Sequence, residues 1–529
     1  MASFKSDVDD FGLKIIPLAS LHRIKFEPKV TLVGLVLMFL TYRIYVVIYR
    51  LYFHRLAGYP GPCLAGASTL YRAYHQCWKD GRMLEHATQL HKIYGPVVRI
   101  APNEKLHFRN PTAYHDICSN AFDGIKDPDF YAFLGGEVPT FFDMGDPVEY
   151  KARFRPVASL FAKRFFDQCE PSVKRNVERF SELLSVSART KKPSNLALGY
   201  RSLFLSIVNE FVFSSVPGRF QSLADETFED PLAVTTASIV NWVDWFRRNF
   251  PNFSNFVMMA PPKIVSYMTS AFEPGAELDN IVHALVEHEL DPSTPKSKNS
   301  MVQRLVNAHT ENTYGDGQPH SRATLRAEAA VTMMGGFIDL SNILPYATFQ
   351  VANNLALQEK LYEELKNVWP DSRTLGPDYE VLRHLPYLSA ILKESMRLTH
   401  GVVSGPAREV GPTGAHVDGY YVPPKAAVTT SSYYVHMDPT IFPDPEKFMP
   451  ERWFAHDHSD SVVVFGKGRR MCPASHFSYM EMYHSLATVF RRFMVTPYET
   501  SEKNFQWRQY FSIEFMGPLM RAMLEERRV

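Results

Sequence analysis

The sequence has 529 residues, of which 45% are hydrophobic and 13% aromatic, so a large buried core is possible. Its net charge of +1 gives no case for a nucleic-acid-binding protein. Its five cysteines form neither a Cys-x-x-Cys pair nor a disulfide framework, which favours a reducing compartment.

An apolar segment lies close to the N-terminus. Residues 1–29 form a tail that mixes apolar and basic residues, and residues 30–50 are apolar apart from Arg43 and Arg50. About 20 such residues cross a bilayer, and Arg43 can extend to the interface. We therefore predict a transmembrane anchor over 30–50, with a monotopic anchor or a signal peptide as alternatives. Basic residues flank both ends, so charge does not fix the orientation.

The rest of the chain reads as one large, mostly helical region. The segment 51–66 contains Gly-Tyr-Pro-Gly-Pro, a stiff helix-breaking sequence that predicts a linker. Residues 67–529 then predict the catalytic domain, with a β-hairpin around Pro102 and a long helix from Leu325 to Ala352.

The most informative motif is residues 465–474, which read Phe-Gly-Lys-Gly-Arg-Arg-Met-Cys-Pro-Ala. Two glycines and a proline break regular structure around Cys472, and three basic residues lie within five positions of it. A thiol among cations is predicted to be held as thiolate. A lone thiolate with no second Cys or His nearby suits haem iron better than zinc. The alternative is a basic loop around a structural cysteine.

Two further motifs come before this loop. Glu394-Ser-Met-Arg397 places an acid and a base on one helix face, and Pro450-Glu-Arg-Trp supplies Arg452. In this order, the three motifs resemble those of the cytochrome P-450 family of haem-thiolate monooxygenases. Ala474 departs from the family, which has glycine at that position.

The resemblance runs from about residue 59 to the C-terminus and is nearest to fungal members, in particular terpenoid oxygenases of the trichodiene-oxygenase type. It implies the P-450 fold, a mainly α, helix-rich single domain with small β-sheets around a buried haem.

The resemblance also implies roles for individual residues. Cys472, in the loop that begins at Phe465, would be the axial ligand of haem b. Glu394, Arg397 and Arg452 would form a salt-bridge network behind the haem. The haem propionates would be bound by four side chains: Tyr150, Arg153, Arg408 and Arg470.

The implied chemistry uses oxygen and external electrons. Because no Gly-x-Gly-x-x-Gly fingerprint is present, we expect an NADPH-cytochrome reductase, with a cytochrome b-type protein as a further possible donor. Lys467 and Arg469 are candidate docking charges. The resemblance places the catalytic domain on the cytosolic face of the endoplasmic reticulum.

The expected substrate is an apolar small molecule that partitions from the membrane, and fungal analogy suggests a terpenoid from secondary metabolism. A largely apolar pocket selects by shape and hydrophobicity. The predicted lining is Phe130, Phe133, Phe142, Met334, Phe337, Val402, Val403 and Ile513.

The long helix departs from the family pattern of an acid followed by threonine. Ungapped alignment places Ile338 and Asp339 there, whereas a one-residue shift keeps Asp339 as the acid and puts Leu340 at the threonine. Ser341 is then the nearest hydroxyl, and Pro345 leaves its carbonyl without a helical partner, which predicts a kink. We hypothesise that Asp339, Ser341 and a water replace the usual pair. In the alternative, Asp339 faces away and bonds a neighbouring helix.

This altered segment leaves two other functions open. One is an oxygen-independent haem-thiolate isomerase or dehydratase, or a peroxide-using enzyme. The other is a haem-binding homologue without catalytic activity. Dependence of turnover on NADPH and O₂ separates the first from a monooxygenase, and haem binding without product formation identifies the second.

Overall fold

The computed structural model describes residues 28–102, 105–131, 138–216, 222–230, 233–234, 248–250, 253, 273–297, 299–310, 321–456 and 458–527. The chain divides into two compact units, residues 1–57 and 58–529. The helices of the described residues are α1 Pro28–Ile48, α2 Cys63–Ala67, α3 Leu70–Ala73, α4 Met83–Tyr94, α5 Pro111–Cys118, α6 Pro128–Tyr131, α7 Pro147–Phe154, α8 Lys163–Thr190, α9 Leu196–Val212, α10 Glu273–Leu290, α11 Met301–Thr310, α12 Arg322–Phe337, α13 Leu340–Ala352, α14 Leu355–Val368, α15 Tyr379–Leu382, α16 Pro386–Thr399, α17 Ser432–His436, α18 Arg452–Ala455 and α19 Ser475–Arg492.

Short strands are interspersed among the helices. They are β1 Val97–Ala101, β2 Lys105–Phe108, β3 Gly124–Lys126, β4 Ser194–Asn195, β5 Arg408–Val410, β6 Ala415–Val417, β7 Tyr420–Val422, β8 Ala427–Thr429, β9 Phe493–Tyr498, β10 Trp507–Gln509, β11 Ile513–Phe515 and β12 Arg521–Glu526. The prediction of a mainly helical fold with small sheets is confirmed.

In the described part of the first unit, α1 continues into a π-helical turn at Tyr49–Phe53. The helical run Lys29–Phe53 is long and apolar enough to cross a membrane, by length and composition. It includes the segment that was predicted as the anchor.

The second unit begins with the proline-rich segment. The Arg99 N–H of β1 donates to the Pro60 carbonyl, 2.8 Å away. A Cβ on Gly61 would lie 2.5 Å from the Arg99 carbonyl oxygen, so only glycine allows this approach. Residues 58–66 of the predicted linker therefore belong to the globular unit.

The helical core positions α12. Its residues join those of α8, α9, α13 and α19 in one large apolar cluster. A Cβ on Gly336 would lie 2.5 Å from Val208 of α9, so glycine lets these two helices pack closely. A Cβ on Gly335 would meet nothing within 4 Å, and this residue is exposed. The Gly335 face of α12 is therefore open, whereas Gly336 is packed against α9.

The largest sheet has the strand order β1-β2-β8-β5-β3. The predicted hairpin is confirmed, with β1 and β2 antiparallel and Val97 opposite Phe108. Strands β3 and β5 are also antiparallel, and their register places Lys126 directly opposite Arg408, both buried. Like charges in direct opposition destabilise a sheet. We therefore expect a nearby negative charge to offset the repulsion between Lys126 and Arg408.

The predicted helix Leu325–Ala352 is instead two helices, α12 and α13, separated at Ile338 and Asp339. The Ser341 hydroxyl donates to the Phe337 carbonyl at 2.6 Å, the acceptor that a helical Ser341 N–H would normally use. Pro345 removes a second helical hydrogen bond one turn later. The break therefore falls just before the predicted kink at Ser341.

Candidate functional site

The cysteine loop folds back on itself just before α19. The Cys472 N–H donates to the Phe465 carbonyl at 2.7 Å, and the Ala474 N–H donates to the Cys472 sulfur. Gly466 and Gly468 have φ angles of 71° and 69°. A Cβ on Gly468 would lie 1.9 Å from the Cys118 carbonyl oxygen, so both backbone angle and space require glycine. The two glycines thus allow the loop to fold so that the Cys472 sulfur accepts a hydrogen bond from a backbone N–H.

Among the described residues, no neighbouring cation contributes to the shift in the pKa of the Cys472 thiol, so its thiolate state stays a prediction. Burial raises the pKa of the thiol to about 11, although the Ala474 N–H lowers it. The nearby guanidiniums bond elsewhere: Arg469 donates to the Phe122 carbonyl at 2.8 Å, and Arg470 to the Phe141 carbonyl at 3.2 Å. The thiol would lose its proton on binding a metal ion, because only the thiolate is a ligand.

Three cations lie close together near the cysteine loop and form a cation cluster: Lys126 and Arg408, which are buried, and Arg470 of the loop itself, which is partly buried. Burial lowers the pKa of Lys126 well below its ordinary value, and the charges of Arg470 and Arg408 lower it further. Burial lowers the pKa of Arg470 to about 10, with Tyr150 opposing and Arg408 reinforcing the shift. Asp143 offsets part of this positive charge. The donor set fits the two carboxylates of a haem.

Sequence reasoning found Arg408 and Arg470 but missed Lys126. The available signal was the Lys-Asp-Pro sequence at residues 126–128, which ends β3 beside the strand that carries Arg408. A single lysine at a strand end is common on protein surfaces, so only the strand pairing identifies this one as part of the site.

Two other predicted propionate partners have different neighbours. Arg153 pairs with Glu328 of α12, with 3.2 Å between Nη1 and Oε1. A buried carboxylate on α12 thus engages the guanidinium that was expected to face a propionate. The Tyr150 ring lies under the Arg470 guanidinium, 3.9 Å from its centre. Tyr150 therefore supports a member of the cation cluster by a cation–π contact.

The three residues of the predicted salt-bridge network lie together and are buried. Arg397 donates to both Glu394 oxygens, at 2.8 and 3.0 Å, and Arg452 donates to one of them at 3.0 Å. The Trp453 indole donates to the other Glu394 oxygen at 3.1 Å. Arg397 also donates to the carbonyl of His436, at the end of α17, and to those of Pro445 and Lys447, between α17 and α18. The network therefore ties α16 to the chain that leads to the cysteine loop.

The Asp339 carboxyl lies within electrostatic range of the Cys472 thiol. Its charge contributes to raising the pKa of that thiol. Ser512, in the turn between β10 and β11, donates a hydrogen bond to the Asp339 carboxyl. The other carboxyl oxygen, Oδ1, is buried and has no hydrogen-bond partner among the described residues. Burial raises the pKa of Asp339, although the Ser512 bond lowers it.

Within the described part of the chain, Asp339 and Ser341 make no direct hydrogen bond, and their proposed pairing through a water stays a prediction. The Ser341 hydroxyl is 2.6 Å from the Phe337 carbonyl and is committed to it. Leu340, the other residue considered for the threonine position, is buried in the apolar core. The hydroxyl that bonds Asp339 is instead that of Ser512, far along the chain.

The predicted pocket residues divide into two groups. Phe130, Phe142, Met334 and Val402 are only partly buried and can line a cavity. The other described members are sealed in the core: Phe337 at 1% exposure, Val403 at 0% and Ile513 at 3%. Phe337 is two positions from Gly335, so it projects from the opposite face of α12. Phe133 lies outside the described residues.

A residue that the pocket prediction omitted completes its wall. The Phe511 ring lies 6.0 Å from that of Phe130 and 6.1 Å from that of Phe142. The Phe511 carbonyl accepts a 2.8 Å hydrogen bond from the Ser404 hydroxyl, which holds the turn in place. The turn at 511–513 therefore brings Phe511 to the aromatic wall and Ser512 to Asp339, while Ile513 packs inward.

Comparison with known proteins agrees with this geometry. A model of the cytochrome P-450 family matches residues 66–514. The cytochrome P-450 monooxygenase ppzG of Metarhizium majus is 43% identical over 301 residues, covering 53% of this chain and 97% of its own. The monooxygenase ankB of Aspergillus thermomutatus is 28% identical over 100% of this chain and 99% of its own. Tryptophan 6-hydroxylase fscE of Fusarium equiseti is 26% identical over 89% of this chain and 92% of its own.

The family uses a haem bound through a thiolate, and its members among these relatives are fungal monooxygenases. The family match extends from α2 into β11, and the whole-length relative covers the rest of the chain. The chain therefore belongs to the cytochrome P-450 family and is a monooxygenase of its fungal secondary-metabolism type.

Proposed function

We propose that the protein is a membrane-anchored monooxygenase that holds haem b through Cys472 and oxidises an apolar secondary metabolite with O₂. The observation that carries this proposal is the cysteine loop, in which the Cys472 sulfur accepts a backbone N–H and lies within electrostatic range of Asp339. The neighbouring cations Lys126, Arg408 and Arg470 supply donors for the haem carboxylates. When bound, a thiolate-ligated haem supplies the power to activate O₂ and oxidise unactivated C–H bonds.

The protein's own groups hold the haem, orient its sulfur ligand and supply protons. The Ala474 N–H orients the Cys472 sulfur, and the cation cluster binds the propionates. Glu394 fixes Arg397 and Arg452 behind the loop. Asp339 holds a proton over the cavity, and Ser512 is the hydroxyl through which that proton passes. Ser341 supports the helix break in this assignment and does not carry the proton.

The substrate body lies against Phe130, Phe142, Met334 and Val402, and Phe511 closes the same wall. Such a lining suits a terpenoid or another compact apolar metabolite. Electrons come from an NADPH-cytochrome reductase on the endoplasmic reticulum, to which residues 30–50 tether a cytosolic catalytic domain. Lys467 and Arg469 lie on the cysteine loop and provide positive charge for an acidic partner.

The first test is the spectrum of the reduced protein with carbon monoxide, for the wild type and Cys472→Ala. We expect the red-shifted band of thiolate ligation in the wild type and its loss in the variant. Cys169→Ala is the matched control, because burial also raises the pKa of that thiol to about 11. A normal band in Cys472→Ala would refute the ligand assignment.

The second test is turnover with a reductase in a host that supplies fungal terpenoid intermediates, under ¹⁸O₂. A product that carries one ¹⁸O atom and requires NADPH supports a monooxygenase. A rearranged or dehydrated product without ¹⁸O would favour the oxygen-independent alternative. A haem-loaded protein that forms no product from a broad metabolite extract would favour the non-catalytic homologue.

A further inference from the structure

A polar cleft lies beside the aromatic wall of the candidate site. Including its open mouth, it has a volume of about 660 Å³. Its charged members come from α3, β2, the start of α6 and residue 248, and Phe130, Ser404 and Ala407 form its inner side. The members that carry the argument are Arg72, Lys105, Asp127, Asp129, Phe130 and Arg248.

Arg72 is positioned so that its terminal nitrogens are available. Its Nε donates to the Asn249 side-chain oxygen at 3.0 Å, and the Asn249 amide donates to Gln76 at 2.8 Å. Nη1 and Nη2 make no hydrogen bond to any other described residue. Arg72 is partly buried, and burial lowers the pKa of its guanidinium, with Asp127 and Asp129 opposing the shift. The buried side-chain amides of Asn249 and Gln76 therefore orient the Arg72 guanidinium, and its two terminal nitrogens are available to bind a ligand.

The cleft carries more positive than negative charge. Lys105 is paired with Asp127 at 3.0 Å, whereas Asp129 is 3.9 Å from Lys105 and its side chain is 76% exposed. Arg72 and Arg248 are close enough that the charge of Arg248 lowers the pKa of Arg72. Three bases thus face two acids, one of them largely in solvent.

The cleft and the candidate catalytic cavity share a wall. The Arg248 guanidinium lies 4.8 Å from the centre of the Phe130 ring and 5.7 Å from that of Phe511. Phe511 also contacts Phe142, and the next residue, Ser512, bonds Asp339. The wall therefore has cations on one side and the proposed proton donor on the other.

We propose that the polar cleft binds the carboxylate of the substrate, whose apolar body extends past Phe130 and Phe511 toward Asp339. This inference rests on the proposed function, and it narrows the substrate to an apolar acid. The Arg72 guanidinium has the planar fork that matches a carboxylate in two parallel hydrogen bonds. The anchored end then fixes which carbon of the body lies nearest Asp339.

The test compares acids with their methyl esters, which differ in the negative charge. Geranic acid, dodecanoic acid and indole-3-propionic acid are each titrated beside the ester into haem-loaded full-length protein, with binding measured by calorimetry. We expect at least one acid to bind the wild type about tenfold or more tightly than its ester, as for a hydrogen-bonded charge pair. Arg72→Gln should bring the ratio of the ester's dissociation constant to that of the acid close to one. Arg72→Lys should retain part of the preference for the acid.

The matched control is Arg82→Gln. Arg82 directly precedes the cleft residue Met83 in the sequence, but its side chain is 55% exposed and pairs with Glu85. Its substitution should therefore leave the ratio of ester to acid dissociation constants unchanged. If no acid binds the wild type better than its ester, or if Arg72→Gln keeps the full ratio, the carboxylate assignment is overturned. The carbon monoxide spectrum of each preparation is recorded separately, so failure of haem ligation counts against the proposed function alone.

Discussion

Asp339, at the break between α12 and α13, accepts a hydrogen bond from Ser512 in the turn between β10 and β11. The acid thus comes from the helix where the family carries its acid–alcohol pair, while the hydroxyl comes from a different element. The charge of Asp339 also reaches the Cys472 thiol, whose pKa it raises. Folding therefore brings together an acid and a hydroxyl that lie far apart in the sequence.

The first prediction concerns proton delivery by this pair. Asp339→Asn and Ser512→Ala should keep haem but lower product formation roughly tenfold or more, because each removes a proton carrier. Electrons from NADPH should then appear as hydrogen peroxide. The measurement is product and peroxide formed per NADPH consumed.

Ser341→Ala is the matched control for these two variants, because the Ser341 hydroxyl is bonded to the Phe337 carbonyl. We expect its coupling ratio to stay near that of the wild type. Unchanged coupling in Asp339→Asn would falsify the relay, and a larger defect in Ser341→Ala than in Ser512→Ala would restore the hypothesis drawn from the sequence.

The second prediction concerns Lys126 and Arg408, which lie opposite each other in the sheet. In the haem-free protein, Lys126→Met removes the repulsion between Lys126 and Arg408. The same substitution removes a positive charge from the proposed propionate site. We expect haem to transfer to apomyoglobin several-fold faster than from the wild type, with thermal stability of the haem-free protein maintained or raised. Lys192→Met, at an exposed position after α8, is the control. Equal haem transfer in both variants would argue against a propionate role for Lys126.

The third prediction concerns Glu394, whose oxygens accept from Arg397, Arg452 and Trp453. Glu394→Ala leaves two buried guanidiniums without their carboxylate, at a cost of roughly 3–5 kcal/mol in the free energy of unfolding. We expect insoluble or haem-free protein, measured as soluble yield and haem absorbance per chain. A soluble, haem-replete but inactive variant would instead assign Glu394 to catalysis.

The sequence predicted those parts of the fold and site that depend on local patterns. The β1–β2 hairpin, the anchor segment and the Glu394–Arg397 spacing follow from residues close together in the chain, where periodicity and turn residues are informative. Lys126 was missed because its role depends on strand pairing. The contacts of Phe511 and Ser512 could not be assigned because they depend on how a turn near the C-terminus packs against distant elements. Phe337 and Ile513 were assigned to the pocket because residue type alone does not tell which face of an element turns inward.

The fourth prediction concerns the anchor. Deletion of residues 1–50 should move much of the protein from the membrane pellet to the soluble fraction, because it removes most of the apolar run Lys29–Phe53. The haem spectrum should be unchanged, because that run belongs to the first compact unit. Tight membrane binding by the truncated protein would point to a second, monotopic surface on the globular unit.

The last prediction concerns Glu328, whose Oε2 is buried without a hydrogen-bond partner among the described residues. Burial raises the pKa of Glu328 from its ordinary 4.5 to about 8, although Arg153 and the Phe141 N–H lower it. Between these two pH values the folded protein keeps a proton that the unfolded chain has lost. The stability contributed by this proton is therefore complete below pH 4.5 and is lost as the pH rises through 8.

Glu328→Gln mimics the protonated carboxyl at every pH and should remove this contribution to the pH dependence. We expect the melting temperatures of the variant and the wild type to be most similar near pH 5. As the pH rises to about 8.5, the melting temperature of the variant should increase steadily relative to that of the wild type. Glu85→Gln, at an exposed site paired with Arg82, should track the wild type throughout. A constant difference between Glu328→Gln and the wild type across this range would show that Glu328 is ionised in the folded protein, with Arg153 as its permanent counter-charge.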